Sequence, residues 1–161
     1  MPEHGWDTIT VPGAVDTWVR LSERFGYLPF ERLFEDAIGY ATNGYAVSPV
    51  VARGWARAAE EYGHFDEFRT TFMPHGRAPV AGETFKSSAM ADTLGEIATT
   101  RGESFYRGEL AKLMVADAAR LGGVMTGDDL ASHEGFWTEC VSHDFLDLTV
   151  HEIPPNGQGI A

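Results

Sequence analysis

The sequence has one cysteine, few basic residues and no long hydrophobic run. Cys140 alone forms neither an internal disulfide nor a thiolate metal cluster, and we expect it to be a small buried residue. Twelve lysines and arginines stand against 24 aspartates and glutamates, so the net charge is −12. This charge disfavours nucleic acid and anionic membranes as partners. The apolar runs are far shorter than a membrane span, and the first residues lack the pattern of a signal peptide.

Sequence patterns of common catalytic and metal sites are also missing. The six histidines show no zinc spacing, and the chain has no G-x-S-x-G nucleophile elbow and no phosphate-binding loop with its lysine. We interpret His64, with Asp66 and Glu67 nearby, as part of a solvated loop. The acidic pairs at 60–61 and 128–129 are typical of helix surfaces. The sequence therefore predicts no cofactor, no metal and no catalytic residue within the chain.

The sequence does contain enough apolar residues to form a core, since 43% of its residues are hydrophobic and 12% are aromatic. Apolar residues recur at helical spacing in five segments, near 14–25, 30–42, 49–62, 90–101 and 110–121. Ser48 before Pro49 is typical of a helix start. Thr126 and Asp129 predict a capping pair for a short helical turn.

Three other stretches lack this spacing. The segment TITVPGA (8–14) predicts a short strand and a turn, and residues 64–88 predict a long irregular connection. Near the C-terminus, FWTECV (136–141) and FLDLTVHEI (145–153) predict two strands, with SHD (142–144) closing a hairpin. In the second, Leu146, Leu148 and Val150 alternate with polar residues, which predicts a half-buried strand. The predicted fold class is therefore mainly α with a small C-terminal β pair, helical over 14–132 and β-rich over 135–155.

Two strands are too few to form a stable sheet by themselves. Their unpaired edges favour pairing with other strands, so we expect self-association when those partners are missing. The closing stretch HEIPPNGQGIA (151–161) also does not read as the end of a domain. We therefore expect residues 1–161 to be a partial domain of a larger protein.

Four stretches, taken in order, resemble the large subunit of gamma-glutamyltranspeptidases and their acylase relatives. They are VPGAVDTW (11–18), FGYLPFERLFEDAIGYATNGYAVS (25–48), FYRGELA (105–111), and GGVMTGDDLASH leading to PPNGQGI (122–160). Each stretch alone is weak, whereas the ordered set is specific. The resemblance implies a fragment of an αββα N-terminal-nucleophile hydrolase sandwich, in which this chain supplies mainly the helical layer of the large subunit.

The resemblance also implies a mechanism. A precursor cleaves itself and exposes a threonine at the new N-terminus of a small subunit, and the α-amine of that threonine serves as its base. Glycine N–H groups hold the oxyanion, and a gamma-glutamyl or related acyl group passes to water or to an amine. The nucleophile, the oxyanion glycines and the arginine that binds the substrate carboxylate all fall outside this chain in that layout. The chain alone is therefore predicted to be inactive, with Thr70–Thr71 in a loop and Thr99–Thr100 at a helix end.

Within the chain, the resemblance points to the PPNGQG turn as the part nearest the substrate. Asn156, Gly157, Gln158 and Gly159 are expected to bind substrate, because glycines let a backbone approach a ligand closely. A tight turn that needs positive φ explains the same glycines. The implied partners are the rest of the large subunit, the small subunit and a gamma-glutamyl small molecule. The alternative is a non-enzymatic, acidic helical binding module, favoured by the clean helix caps and the charge of −12.

Overall fold

The computed structural model describes residues 3–155 and residue 157, in which short helices are followed by a β-hairpin. The α-helices within these residues are α1 (Ala14–Phe25), α2 (Glu35–Asn43), α3 (Pro49–Tyr62), α4 (Asp66–Phe72), α5 (Ser88–Thr100), α6 (Glu103–Arg107), α7 (Glu109–Arg120) and α8 (Gly127–Ala131). Two 3-10 helices lie at Trp6–Thr8 and Phe30–Phe34. Strands β1 (Tyr45–Ala46) and β2 (Thr84–Phe85) pair antiparallel, as do β3 (Val141–Phe145) and β4 (Leu148–Glu152). The predicted fold class, mainly α with a small C-terminal β pair, is confirmed.

The main core lies where α1, α5, α6 and the second 3-10 helix meet. Its fully buried members are each at most 6% exposed: Val15, Phe30, Phe34, Ile97, Ala98 and Tyr106. The rings of Phe30 and Phe34 meet edge to face with their centroids 4.9 Å apart. Burying a large apolar side chain of this kind stabilises a fold by about 1.5–3 kcal/mol. A second buried point is Leu130 of α8, which is 0% exposed.

Local sequence signals set several of the helix ends. Ser48 caps α3 by accepting a hydrogen bond from the Val51 N–H, and Pro49 occupies the first helical position, as predicted. The capping box of α8 is also confirmed. The Asp129 N–H donates to Thr126 Oγ1 at 3.2 Å, and the Thr126 N–H donates to Asp129 Oδ2 at 2.8 Å. These bonds satisfy N–H groups that have no partner within the helix.

The predicted strand at 8–14 is wrong. Residues Trp6–Thr8 form a 3-10 helix, and residues 9–13 are not assigned to a strand. The segment gains no strand partner among the described residues, because β1 and β2 pair with each other and β3 pairs with β4. A strand without a neighbour leaves its backbone groups unpaired, and the ladder does not form.

The predicted irregular connection at 64–88 is also wrong in part, because it contains α4 and β2. Asp66 and Glu67 lie in the first turn of α4, where the helix dipole favours negative charge. The ring of Phe72 lies 6.1 Å from that of Trp55 in α3. Tertiary packing thus supports a helix of seven residues that is too short for a visible period. Residues 70–71 therefore lie in a helix and not in a loop.

The register and burial of the C-terminal hairpin differ from prediction. Residues 142–144 lie within β3, and the turn falls at residues 146–147, where Leu146 adopts the left-handed conformation with φ 56°. Residues 136–140 are not assigned to a strand. The predicted half-buried pattern is wrong, since Leu148 and Val150 are 66% and 54% exposed. Cys140, expected to be buried, is exposed as well. The strands are exposed because no described element covers either face of the hairpin.

None of the helices in the described part of the chain is both long enough and apolar enough to cross a membrane.

Candidate functional site

The structure describes only one residue of the predicted substrate-binding turn. Asn156, Gln158 and Gly159 lie outside the described residues. Gly157 is described and exposed, and a Cβ added to it would come within 3.2 Å of the Cδ1 atom of Ile153. A side chain at this position would therefore press on Ile153, which follows β4. The contact of these four residues with substrate stays a prediction.

Three of the four family-like stretches meet at the N-terminal end of α1. Gly13 occupies the N-cap position and offers no side chain to cap the helix. Tyr106 of α6 supplies the missing partner, because its hydroxyl accepts a hydrogen bond from the Asp16 N–H at 3.0 Å. The same hydroxyl donates to the Pro12 carbonyl at 2.7 Å. Burial raises the pKa of Tyr106, so the hydroxyl stays protonated and able to donate.

The carboxylate of Asp16 joins the segment before the hairpin to α1. Its Oδ2 atom accepts hydrogen bonds from Arg20 Nε at 2.8 Å and from the Gly135 N–H at 2.9 Å. The bond to Asp16 raises the pKa of Arg20, whose guanidinium also lies 3.8 Å from Glu134. Gly135 leaves room for this contact, since a Cβ there would come within 2.2 Å of Asp16 Oδ2. The Asp16 cluster (Asp16, Arg20, Tyr106, His133 and Gly135) thus fixes where the chain leaves the helical layer.

His133 completes the Asp16 cluster without a hydrogen bond of its own at Nε2. Its ring stacks on that of Tyr106 with centroids 5.0 Å apart and planes at 18°. Its buried Nε2 atom has no hydrogen-bond partner among the described residues and lies 3.9 Å from Asp16 Oδ2. The Asp16 carboxylate already accepts hydrogen bonds from Arg20 and Gly135. The Tyr106 hydroxyl is already hydrogen-bonded to backbone groups. The arrangement therefore suits a structural clamp better than acid–base catalysis, which needs a base within reach of an exchangeable proton.

An open apolar groove of about 770 Å³ lies between α2, α3, α4 and the start of α5. Its walls include the rings of Trp55, Phe72 and Phe85, and the Trp55 and Phe85 centroids are 4.6 Å apart. Small residues such as Ala41 and Gly54 leave the space between the walls open. Sites for small ligands have volumes of roughly 300–1,000 Å³ and mostly apolar linings. By size and lining this groove falls within that class.

The described residues hold no group of three or more histidine, cysteine, aspartate or glutamate side chains placed to bind a metal ion.

Comparison with known sequences places the chain in a family. The sequence model of the family described as Gamma-glutamyltranspeptidase matches residues 1–161. The chain belongs to the gamma-glutamyltranspeptidase family. It is 37% identical over 160 residues to the glutathione hydrolase-like YwrD proenzyme of Bacillus subtilis, covering 99% of this chain and 30% of that protein. The resemblance predicted from the sequence motifs is confirmed.

Solved structures of gamma-glutamyltranspeptidase relatives share the fold. The cephalosporin acylase of Bacillus halodurans matches with a TM-score of 0.95 and 42% identity, covering 99% of this chain and 31% of that one. The gamma-glutamyltranspeptidase of Helicobacter pylori matches with a TM-score of 0.91 and 28% identity, covering 98% and 45%. The chain therefore spans less than half the length of each of these relatives.

Sequence reasoning missed both structural features of this family member. Asp16, Tyr106 and His133 lie in stretches that carried the family resemblance, but nothing in the sequence shows that the three side chains meet. The rings of Trp55, Phe72 and Phe85 come from α3, α4 and β2, and the last two elements were expected to be irregular. The density of phenylalanines in that segment was the available signal.

Proposed function

We propose that this chain is a segment of the large subunit of an enzyme that cleaves gamma-glutamyl amide bonds and passes the acyl group to water or to an amine. The observation that carries the proposal is the family match over residues 1–161. The matched relatives are named as a glutathione hydrolase-like proenzyme, a cephalosporin acylase and a gamma-glutamyltranspeptidase. What these names share is the handling of an acyl group, whereas the identity of that group differs among them.

The nucleophile in this proposal is an N-terminal threonine that lies outside the chain. An internal threonine has no free α-amine to act as its base. The threonine doublets support this assignment, because the hydroxyls of Thr70, Thr99 and Thr100 donate hydrogen bonds within helices. Thr70 Oγ1 donates to the Asp66 carbonyl at 2.9 Å, and Thr100 Oγ1 donates to the Glu96 carbonyl at 2.7 Å. Both geometries are typical of helical threonines that hydrogen-bond the preceding turn.

The chain's own part in the proposed enzyme is to act as a scaffold for the acyl-transfer site. Residues 1–161 form a partial domain, with a helical part over 14–132 and a β-rich part over 135–155. The Asp16 cluster holds the start of the β-rich part against α1, and β4 leads toward the turn at Asn156–Gly159. In the proposal this turn approaches the substrate, and the hairpin joins the sheet of the sandwich.

The proposed partners are the rest of the large subunit and the small subunit. The hairpin supports this proposal, since Phe145, Leu148 and Val150 are each more than half exposed. Exposed apolar strands with free edges are sites for strand addition. When the 161-residue chain is made alone, we expect it to self-associate through β3 and β4. A strict monomer in sedimentation equilibrium at high concentration would contradict this expectation.

The test of the proposed function compares the 161-residue chain with a longer precursor that contains it. Each is incubated with L-gamma-glutamyl-4-nitroanilide, and release of 4-nitroaniline is followed by absorbance. We expect no turnover by the chain, and turnover by the precursor after it splits into two subunits on a denaturing gel. Turnover by the chain alone, at a rate proportional to its concentration, would place the nucleophile within residues 1–161 and refute the assignment.

A binding module without chemistry is the competing function. This function predicts that the longer precursor neither splits into two subunits nor releases 4-nitroaniline, whichever acyl acceptor is added. The same experiment therefore separates the two functions.

A further inference from the structure

We propose that the groove between α2, α3 and α4 binds a small amphipathic organic anion, with an aromatic body between the helices and its acidic group beside Lys86. This inference does not rest on the proposed function. It comes from the shape of the groove and from the distribution of charge around it.

The groove presents a cluster of aromatic rings to an apolar ligand. Trp55 stands against Phe85 and Phe72, with ring centroids 4.6 Å and 6.1 Å away, so the aromatic walls hold one another in place. Phe85 is only 8% exposed, which anchors this wall in the fold. At Gly54 an added Cβ would meet nothing within 4 Å, so the space between the walls is open. Aromatic rings gain from edge-to-face and offset contacts with such walls.

The charge around the groove selects the sign of the ligand. None of the chain's 24 acidic residues is among the described residues that line the groove, and Lys86 is the charged residue among them. The other lysine of the chain, Lys112, pairs with Glu109 at 2.5 Å, whereas Lys86 makes no ion pair with any described residue. Lys86 also precedes Ser87, the N-cap of α5, so the partial positive charge of that helix adds to the lysine. In a chain of net charge −12, an organic anion is repelled by most of the surface and accepted here.

The first experiment tests the charge of the ligand. The probes are 8-anilinonaphthalene-1-sulfonate and its neutral analogue N-phenyl-1-naphthylamine, which share an aromatic body and differ in the acidic group. Fluorescence titration of the 161-residue chain should give tighter binding of the sulfonate. Lys86→Met should weaken binding of the sulfonate about threefold to fivefold and leave the neutral analogue unchanged. The matched control, Lys112→Met, should change neither.

The second experiment tests the location. Gly54→Leu fills the groove and should weaken both probes by about tenfold or more. Gly95→Leu is the control, because a Cβ at this α5 glycine also meets nothing within 4 Å and Gly95 does not line the groove. Ala58→Met also fills the groove. It replaces Gly54→Leu in the test if Gly54→Leu loses the helical circular dichroism signal of the wild-type chain.

Three outcomes would overturn the proposal. Equal weakening of sulfonate binding by Lys86→Met and Lys112→Met would show that Lys86 does not bind the acidic group. Unchanged binding in both filling variants would show that the probes bind elsewhere, such as on the exposed hairpin. Binding to the 161-residue chain but not to the longer precursor would show that another segment of that protein fills the groove.

Discussion

Replacing Tyr106 with phenylalanine removes one hydroxyl and leaves the ring in the core. Two hydrogen bonds are lost, at 2.7 Å to the Pro12 carbonyl and at 3.0 Å from the Asp16 N–H. The Asp16 N–H is one of the helix-terminal donors of α1, whose N-cap Gly13 has no side chain to replace the lost partner. At about 0.5–1.5 kcal/mol for each bond, Tyr106→Phe should lower the free energy of unfolding by about 2 kcal/mol.

The measurement is urea unfolding followed by far-ultraviolet circular dichroism. For a chain of this size, a loss of about 2 kcal/mol corresponds to a fall in Tm of roughly 4–8 °C. Tyr27→Phe is the matched control, because Tyr27 is fully exposed at 102% and should change stability by less than about 0.5 kcal/mol. If Tyr106→Phe proved as mild as Tyr27→Phe, the tyrosine cap of α1 would be refuted.

The pH dependence of the same variant gives a second check. Burial raises the pKa of Tyr106 above its ordinary value, so the folded state holds this proton more tightly than the unfolded state. The wild-type protein therefore keeps the contribution of Tyr106 below about pH 10 and loses it as the pH rises further. The phenylalanine variant has no such group. The stability difference between the two proteins should stay constant near neutral pH and narrow above about pH 10.

Three other perturbations test separate parts of the molecule. The hydrogen bonds from Arg77 hold the pKa of Glu83 below its ordinary value, so this carboxylate stabilises the fold at neutral pH and ceases to do so as acid protonates it. Glu83→Gln should therefore melt below the wild type near pH 7 and match it near about pH 3, and an equal gap at both pH values would contradict the assignment. Leu130→Ala should lower the free energy of unfolding by about 2–5 kcal/mol, whereas Leu113→Ala, at a 65% exposed position, should lower it by about 0.5 kcal/mol or less in the same urea assay. Cys140 is exposed and should react stoichiometrically with 5,5′-dithiobis(2-nitrobenzoate) without denaturant, and reaction only after unfolding would mean that the thiol is buried.

Features that depend on neighbouring residues were predictable from the sequence. The cap of α3 at Ser48 and the capping box at Thr126 each involve residues three positions apart. The stop of α2 before Gly44 follows from a φ of 90°, a conformation that favours glycine. The family was predictable because several such local stretches occur in a specific order.

Features that depend on distant residues were not predictable. Asp16 bonds to groups 90 and 119 positions away, and no periodicity reports a contact of that range. The hairpin turn was misplaced because Leu146 takes a left-handed conformation that favours glycine or asparagine, so the sequence carries no usual turn signal there. The groove depends on α4, a helix whose seven residues are held by packing on α3.

The bond between Asp16 and Gly135 also orders events during synthesis. The two residues are 119 positions apart, and a ribosome adds roughly 5–20 residues each second. Helix α1 is therefore made roughly 6–24 seconds before the Gly135 N–H that donates to its Asp16 carboxylate. During that interval α1 lacks this anchor, and its Trp18 and Leu21, which are 43% and 44% exposed in the structure, are open to other contacts.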